Sequence, residues 1–206
     1  MRLRLCGGLL VLASVVGSAG DLRAQETGTP MFRAPYRAFT NHEFGAAFSD
    51  PGQGVSFALE GFYSYGAGSN DFGIRAGFAD PEGPGDTRLL LGGNFRTRVL
   101  TYSESFPLDG ALTLGAGINL GDGDDLIYLP VGVTLGRRFE LEGSQTTFTP
   151  YVHPVLVPVL GASGGSDVGF ALGLGVDFRF SRSVSARVSG GLGDIEGVGV
   201  ALTYVR

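Results

Sequence analysis

The chain has 206 residues, 36 of them glycine, with one cysteine, no tryptophan and arginine as its sole basic residue type. That length suits one domain, and 20 acidic residues against 15 arginines argue against a nucleic-acid partner. The single cysteine, Cys6, excludes a disulfide framework, and the glycines have no collagen period and sit inside alternating apolar runs.

Residues 1–24 read as a secretory signal peptide. Arg2 and Arg4 form a positive start, Leu5 to Val16 an apolar run, and small residues follow up to Ala24. Cleavage there leaves 12 Arg against 19 acids, a formal charge of −7, and no cysteine. No later segment reaches the run of about 20 apolar residues that a membrane helix needs, whereas barrel strands need only about 9–11.

Residues 25–40 contain Pro30 and Pro35 and show no period, so an irregular lead-in is expected, either outside a barrel or tucked into its mouth. From residue 41 onward the chain alternates. Period-2 patterns predict strands near 41–49, 54–65, 71–79, 87–99, 110–120 and 126–138. Asp50-Pro51-Gly52 and the glycine-rich stretches after Tyr65, Asp80 and Leu120 supply turns. Residues 147–160 carry Pro150, Pro154 and Pro158 on one parity, which predicts an irregular or bulged strand there.

The last forty residues carry the clearest signal. Val168, Phe170, Leu172, Leu174, Val176, Phe178 and Phe180 share one face, opposite Gly169, Ala171, Gly173, Gly175, Asp177 and Arg179. One face is apolar and the other small or charged, the pattern of a strand with lipid on one side and a cramped polar lumen on the other. Two more strands follow, near 183–192 and 198–206.

The expected fold is therefore all-β: an up-and-down antiparallel transmembrane β-barrel over 41–206, with ten strands or, alternatively, eight. In the ten-strand arrangement, one set of turns is flanked by aromatics such as Tyr65, Phe72, Tyr102, Phe139 and Phe180, with Tyr204 ending the chain there. The other set is acidic: Asp50; Asp80, Glu82 and Asp86; Asp122 to Asp125; Asp167; Asp194 and Glu196. An aromatic girdle on one rim and acidic loops on the other support that topology.

In these features the chain resembles the small outer-membrane β-barrel proteins of Gram-negative bacteria. The resemblance rests on pattern over nearly all of 41–206. Its most specific piece is the last strand, where Gly199, Leu202 and Tyr204 look like a C-terminal signal read by the barrel-assembly machinery. Val205-Arg206 beyond the aromatic departs from that signal. The resemblance implies an outer-membrane location, with the aromatic rim on the periplasmic side, contact with outer-membrane lipids, and a monomer. It does not imply one function.

Glu60, Arg75, Arg88, Arg96, Asp177, Arg179 and Arg187 fall on the inward parity. Buried charges need partners, so they are expected to plug the lumen as ion pairs. The competing expectation is a narrow anion-preferring pore, because arginine outnumbers acid in this set. His42 and His153 lie in no nucleophile motif, and Asp122 to Asp125 lacks full calcium-loop spacing. No catalytic residue, metal or cofactor is expected. The expected role is structural or concerned with small solutes; the alternatives are a lipid-modifying enzyme and a soluble exported barrel for an apolar ligand.

Overall fold

The structure, a computed structural model, describes residues 26–37, 39–52, 54–121, 125–161 and 164–206. The expected signal peptide and most of the Asp122 to Asp125 turn lie outside these. The strands are β1 (His42–Asp50), β2 (Val55–Ala67), β3 (Asn70–Pro81), β4 (Arg88–Leu100), β5 (Asp109–Leu120), β6 (Leu126–Tyr128), β7 (Val131–Gly136), β8 (Phe139–Glu140), β9 (Thr147–Gly161), β10 (Ser166–Arg179), β11 (Val184–Gly193) and β12 (Gly197–Val205). Strands β6, β7 and β8 follow one another along the edge of β9 and occupy one barrel position. The result is a closed barrel of ten antiparallel staves in up-and-down order.

Closure is made by the two end strands. Eight pairs join β1 to β12, from Glu43 opposite Val205 to Asp50 opposite Val198. The eight-strand alternative fails because β1 pairs with both β12 and β2, and β9 pairs with β10 on one side and with the β6, β7 and β8 stave on the other.

The three prolines of 147–160 act one strand away from where an irregularity was expected. β9 itself is continuous over 15 residues and pairs with β10 without a break. The Pro158 carbonyl accepts from Leu129 N and the Pro150 carbonyl from Arg137 N, so both residues turn their polar edge toward the neighbouring stave. Proline offers no N–H on that edge. The stave facing it breaks at Leu129-Pro130 and at Arg137-Arg138, opposite Pro158 and Pro150.

Outside, the wall is apolar. Ile74, Val168, Val198 and Leu202 are each more than 60% exposed, and Phe44, Leu89, Leu156 and Val188 stand beside the same solvent-facing band. Aromatics mark one rim, with Phe44 against Tyr63, Phe72 against Phe95 and Phe139 against Phe148, all near 5 Å between centroids. A smaller set lies toward the other rim, where Phe48 stacks on Phe57 and Phe57 meets Phe78 edge to face. The acids are not confined to that second rim: Glu104, Asp109, Glu140 and Glu142 lie at the aromatic one, among Arg98, Arg137, Arg138, Arg179 and Arg182.

Inside, the lumen is two-sided. Tyr128, Tyr151, Val155, Val157, Ala171 and Ile195 make an apolar wall, which packs on Phe32 and Ala34 of the lead-in. The opposite wall, from β2 to β4, carries Glu60, Asp71, Arg75 and Arg96, all buried.

Candidate functional site

An eight-strand barrel is about filled by its own side chains, and a ten-strand one is wider. Glycine on the inward face widens this lumen further. The extra space is taken by the lead-in: residues 26–35 are buried throughout, with Phe32 and Ala34 fully so. The tucked-in expectation of the lead-in thus extends well past the mouth. Two glycines show how closely it fits. A Cβ on Gly173 would overlap the Phe32 ring, and one on Gly117 would overlap the Glu26 carbonyl.

The segment has no strand partner, so its backbone carbonyls are bonded by wall side chains, as buried polar groups require. Ser189 Oγ donates to Pro30 O at 2.6 Å, Tyr151 Oη to Phe32 O at 2.9 Å and Thr134 Oγ1 to Arg33 O at 2.7 Å. Arg96 donates to Ala34 O and, at 3.2 Å, to Tyr36 O. These bonds come from four staves, which fixes the segment across the lumen.

Charges gather in three groups. Arg75 lies 3.1 Å from Glu60 and 3.6 Å from Glu26, while Thr29 Oγ1 donates to Glu60 at 2.7 Å and Asn94 Nδ2 to Glu26 at 2.8 Å. Asp71 takes Arg96 at 2.9 Å and Arg33 at 3.7 Å. Arg187 grips Asp177 through two bonds of 2.8 and 3.0 Å and stands 4.0 Å from Glu43. The first two groups join the lead-in to the wall, and the third joins wall to wall.

Of the inward charges read from the sequence, Glu60, Arg75, Arg96, Asp177 and Arg187 lie in these groups. Two do not. Arg88 sits near the acidic rim and donates to Asn119, both to the side chain and, at 3.1 Å, to the backbone carbonyl. Arg179 lies at the aromatic rim and holds the β10–β11 turn through the Ser181 and Arg182 carbonyls. Glu26, Arg33, Glu43 and Asp71 join the groups instead. With them, the described lumen groups hold five carboxylates and four guanidiniums, so arginine does not outnumber acid within these groups.

Gly199 faces the lumen, where a Cβ would overlap Met31, and Leu202 and Tyr204 project outward at 67% and 55% exposure. His42 bonds Tyr63 Oη at 2.9 Å on the rim. His153 is buried, bonds Thr113 Oγ1 at 2.8 Å and stands edge-on to Phe32. At the mouth Tyr36 Oη donates to Asp109, and burial together with that bond pushes its hydroxyl up to about 12.

No family model and no curated protein matches the chain. Among solved structures, the barrel is similar to a bacterial polysaccharide outer membrane secretin, at 12% identity and a TM-score of 0.44. That likeness spans 73% of this chain and 57% of the other, less than two thirds of its length. A likeness of this size carries no inference about role.

Proposed function

We propose that this chain is a sealed outer-membrane β-barrel with a structural, non-enzymatic role, closed by its own N-terminal segment. The observation that carries the proposal is the lead-in itself. It fills the lumen, its carbonyls are bonded by the wall, and its two buried charges, Glu26 and Arg33, are paired there.

The apolar exterior supports a lipid surrounding, because an exposed apolar band around a whole barrel is costly in water. The charged, segment-filled lumen disfavours a soluble barrel for an apolar ligand. Among the described residues, His42 bonds Tyr63 and His153 bonds Thr113, and neither bond belongs to a base–nucleophile–acid set that would support the enzyme alternative. Within this reading Gly199, Leu202 and Tyr204 serve barrel assembly, and the partners are outer-membrane lipids, with the chain a monomer and no cofactor needed.

Fractionation with gel mobility tests the location. Recovery in the outer membrane, with faster migration of unboiled than boiled samples, is expected. Recovery in the soluble periplasmic fraction would refute it.

A further inference from the structure

The aromatic-rim mouth holds a cavity of about 290 Å³ where the lead-in leaves the lumen. Its wall carries four guanidiniums, those of Arg37, Arg96, Arg98 and Arg138, and a single carboxylate, Asp71. That carboxylate is already engaged by Arg96 and Arg33. The nearby Asp109 accepts instead from two neutral donors, Tyr36 Oη and Tyr102 N.

Two of the remaining arginines, Arg37 and Arg138, are held by neutral groups. Arg37 donates to the Asn70 carbonyl at 2.7 Å, and a Cβ on Gly66 would overlap its guanidinium, so a glycine seats it. Arg138 lies over the Tyr36 ring at 4.4 Å. Among the described residues, neither Arg98 nor Arg138 has a carboxylate within 4.0 Å.

Guanidiniums gathered around one small cavity repel one another, and an anion between them relieves that repulsion. Their planar forks match oxygens of a tetrahedral anion, and Arg98 and Arg138, with no carboxylate within 4.0 Å among the described residues, match a double negative charge. The volume admits a group of headgroup size, not a whole lipid. We propose that this mouth binds a phosphomonoester dianion, presented either free or as the headgroup of a lipid. The site requires only the folded barrel, so it stands apart from the proposed membrane location.

Titration calorimetry of the refolded full chain in a maltoside detergent tests this, with inorganic phosphate in one arm and dihexanoyl phosphatidic acid in the other. Saturable binding is expected in at least one arm. Binding in both supports a free phosphoryl ligand, and binding of the lipid alone supports a headgroup. The double substitution Arg98→Gln with Arg138→Gln is expected to weaken binding by about tenfold or more, as two charge-assisted contacts are lost. Arg182→Gln, at the same rim but outside the cavity, is expected to leave it unchanged. Where the double variant loses the folded barrel's gel shift, Arg138→Gln alone replaces it, with the same direction of change. Absence of saturable heat in both arms, undiminished binding by the arginine variant, or an equal loss with Arg182→Gln would each overturn the proposal.

Discussion

Arg96→Met separates a lumen filled by paired charges from one closed by a tethered segment. Arg96 does two things: it pairs with Asp71 at 2.9 Å, and it donates to two lead-in carbonyls, Ala34 O and Tyr36 O. Asp71 keeps Arg33 at 3.7 Å, so its charge is not left alone, and the loss falls below that of a fully orphaned buried charge. Hydrogen bonds from a charged donor contribute about 1.5–3 kcal/mol each, so losing two destabilises the docked segment by at least about 3 kcal/mol. That corresponds to roughly a 100-fold rise in the undocked population. The comparison is Arg187→Met, whose lost partners, Asp177 and Glu43, belong to the wall. In a Cys6→Ser background, Ala34→Cys places the only thiol of the chain in the docked segment, since Cys6 is the sole natural cysteine. Maleimide labelling of that thiol is expected to speed up by about two orders of magnitude with Arg96→Met. It should change little with Arg187→Met, which lowers barrel melting instead. Equal acceleration by both would refute the tether.

Gly173→Leu places a side chain where Phe32 sits, and overpacking of this kind costs about 1–3 kcal/mol. Faster labelling at position 34 with an unchanged barrel gel shift is the expected outcome. Leu202→Arg puts a charge on the outward band, at a cost of about 2–4 kcal/mol near a bilayer midplane, and should lower the yield of folded barrel in vesicles. Tyr36 favours its neutral form more in the folded than in the unfolded chain. Its stabilising contribution is therefore complete below about pH 10 and lost as pH rises toward 12. A pH series of thermal melts should show that loss in the wild type and a smaller one in Tyr36→Phe.

The staves were legible because one period governs them. Each segment alternates, and a slip of one residue would turn its apolar set into the lumen. The same parity marks Glu43 and Asp71 as inward: Glu43 alternates with Phe44, and Asp71 lies in step with Gly73 and Arg75. Both stood at strand starts, where boundaries are least clear, and so escaped the inward set. Arg179 shares the inward parity, yet it lies at the rim, where turn carbonyls are nearer than any acid. Parity gives a face but not a depth. Nothing in the sequence signals the lead-in's course. It has no period, and its partners lie as much as 159 residues away, as with Ser189 and Pro30. Its fit is written in the wall as glycines, which read as generic small residues until Phe32 and Glu26 are seen against Gly173 and Gly117.

Single-channel recording in planar bilayers tests the sealed barrel most directly, comparing the full chain with a variant that lacks residues 26–37. The lead-in fills the lumen, so the full chain is expected to show no sustained conductance, and the shortened chain discrete open steps. Steady conductance by the full chain, or the same trace from both, would contradict a barrel closed by its own N-terminal segment.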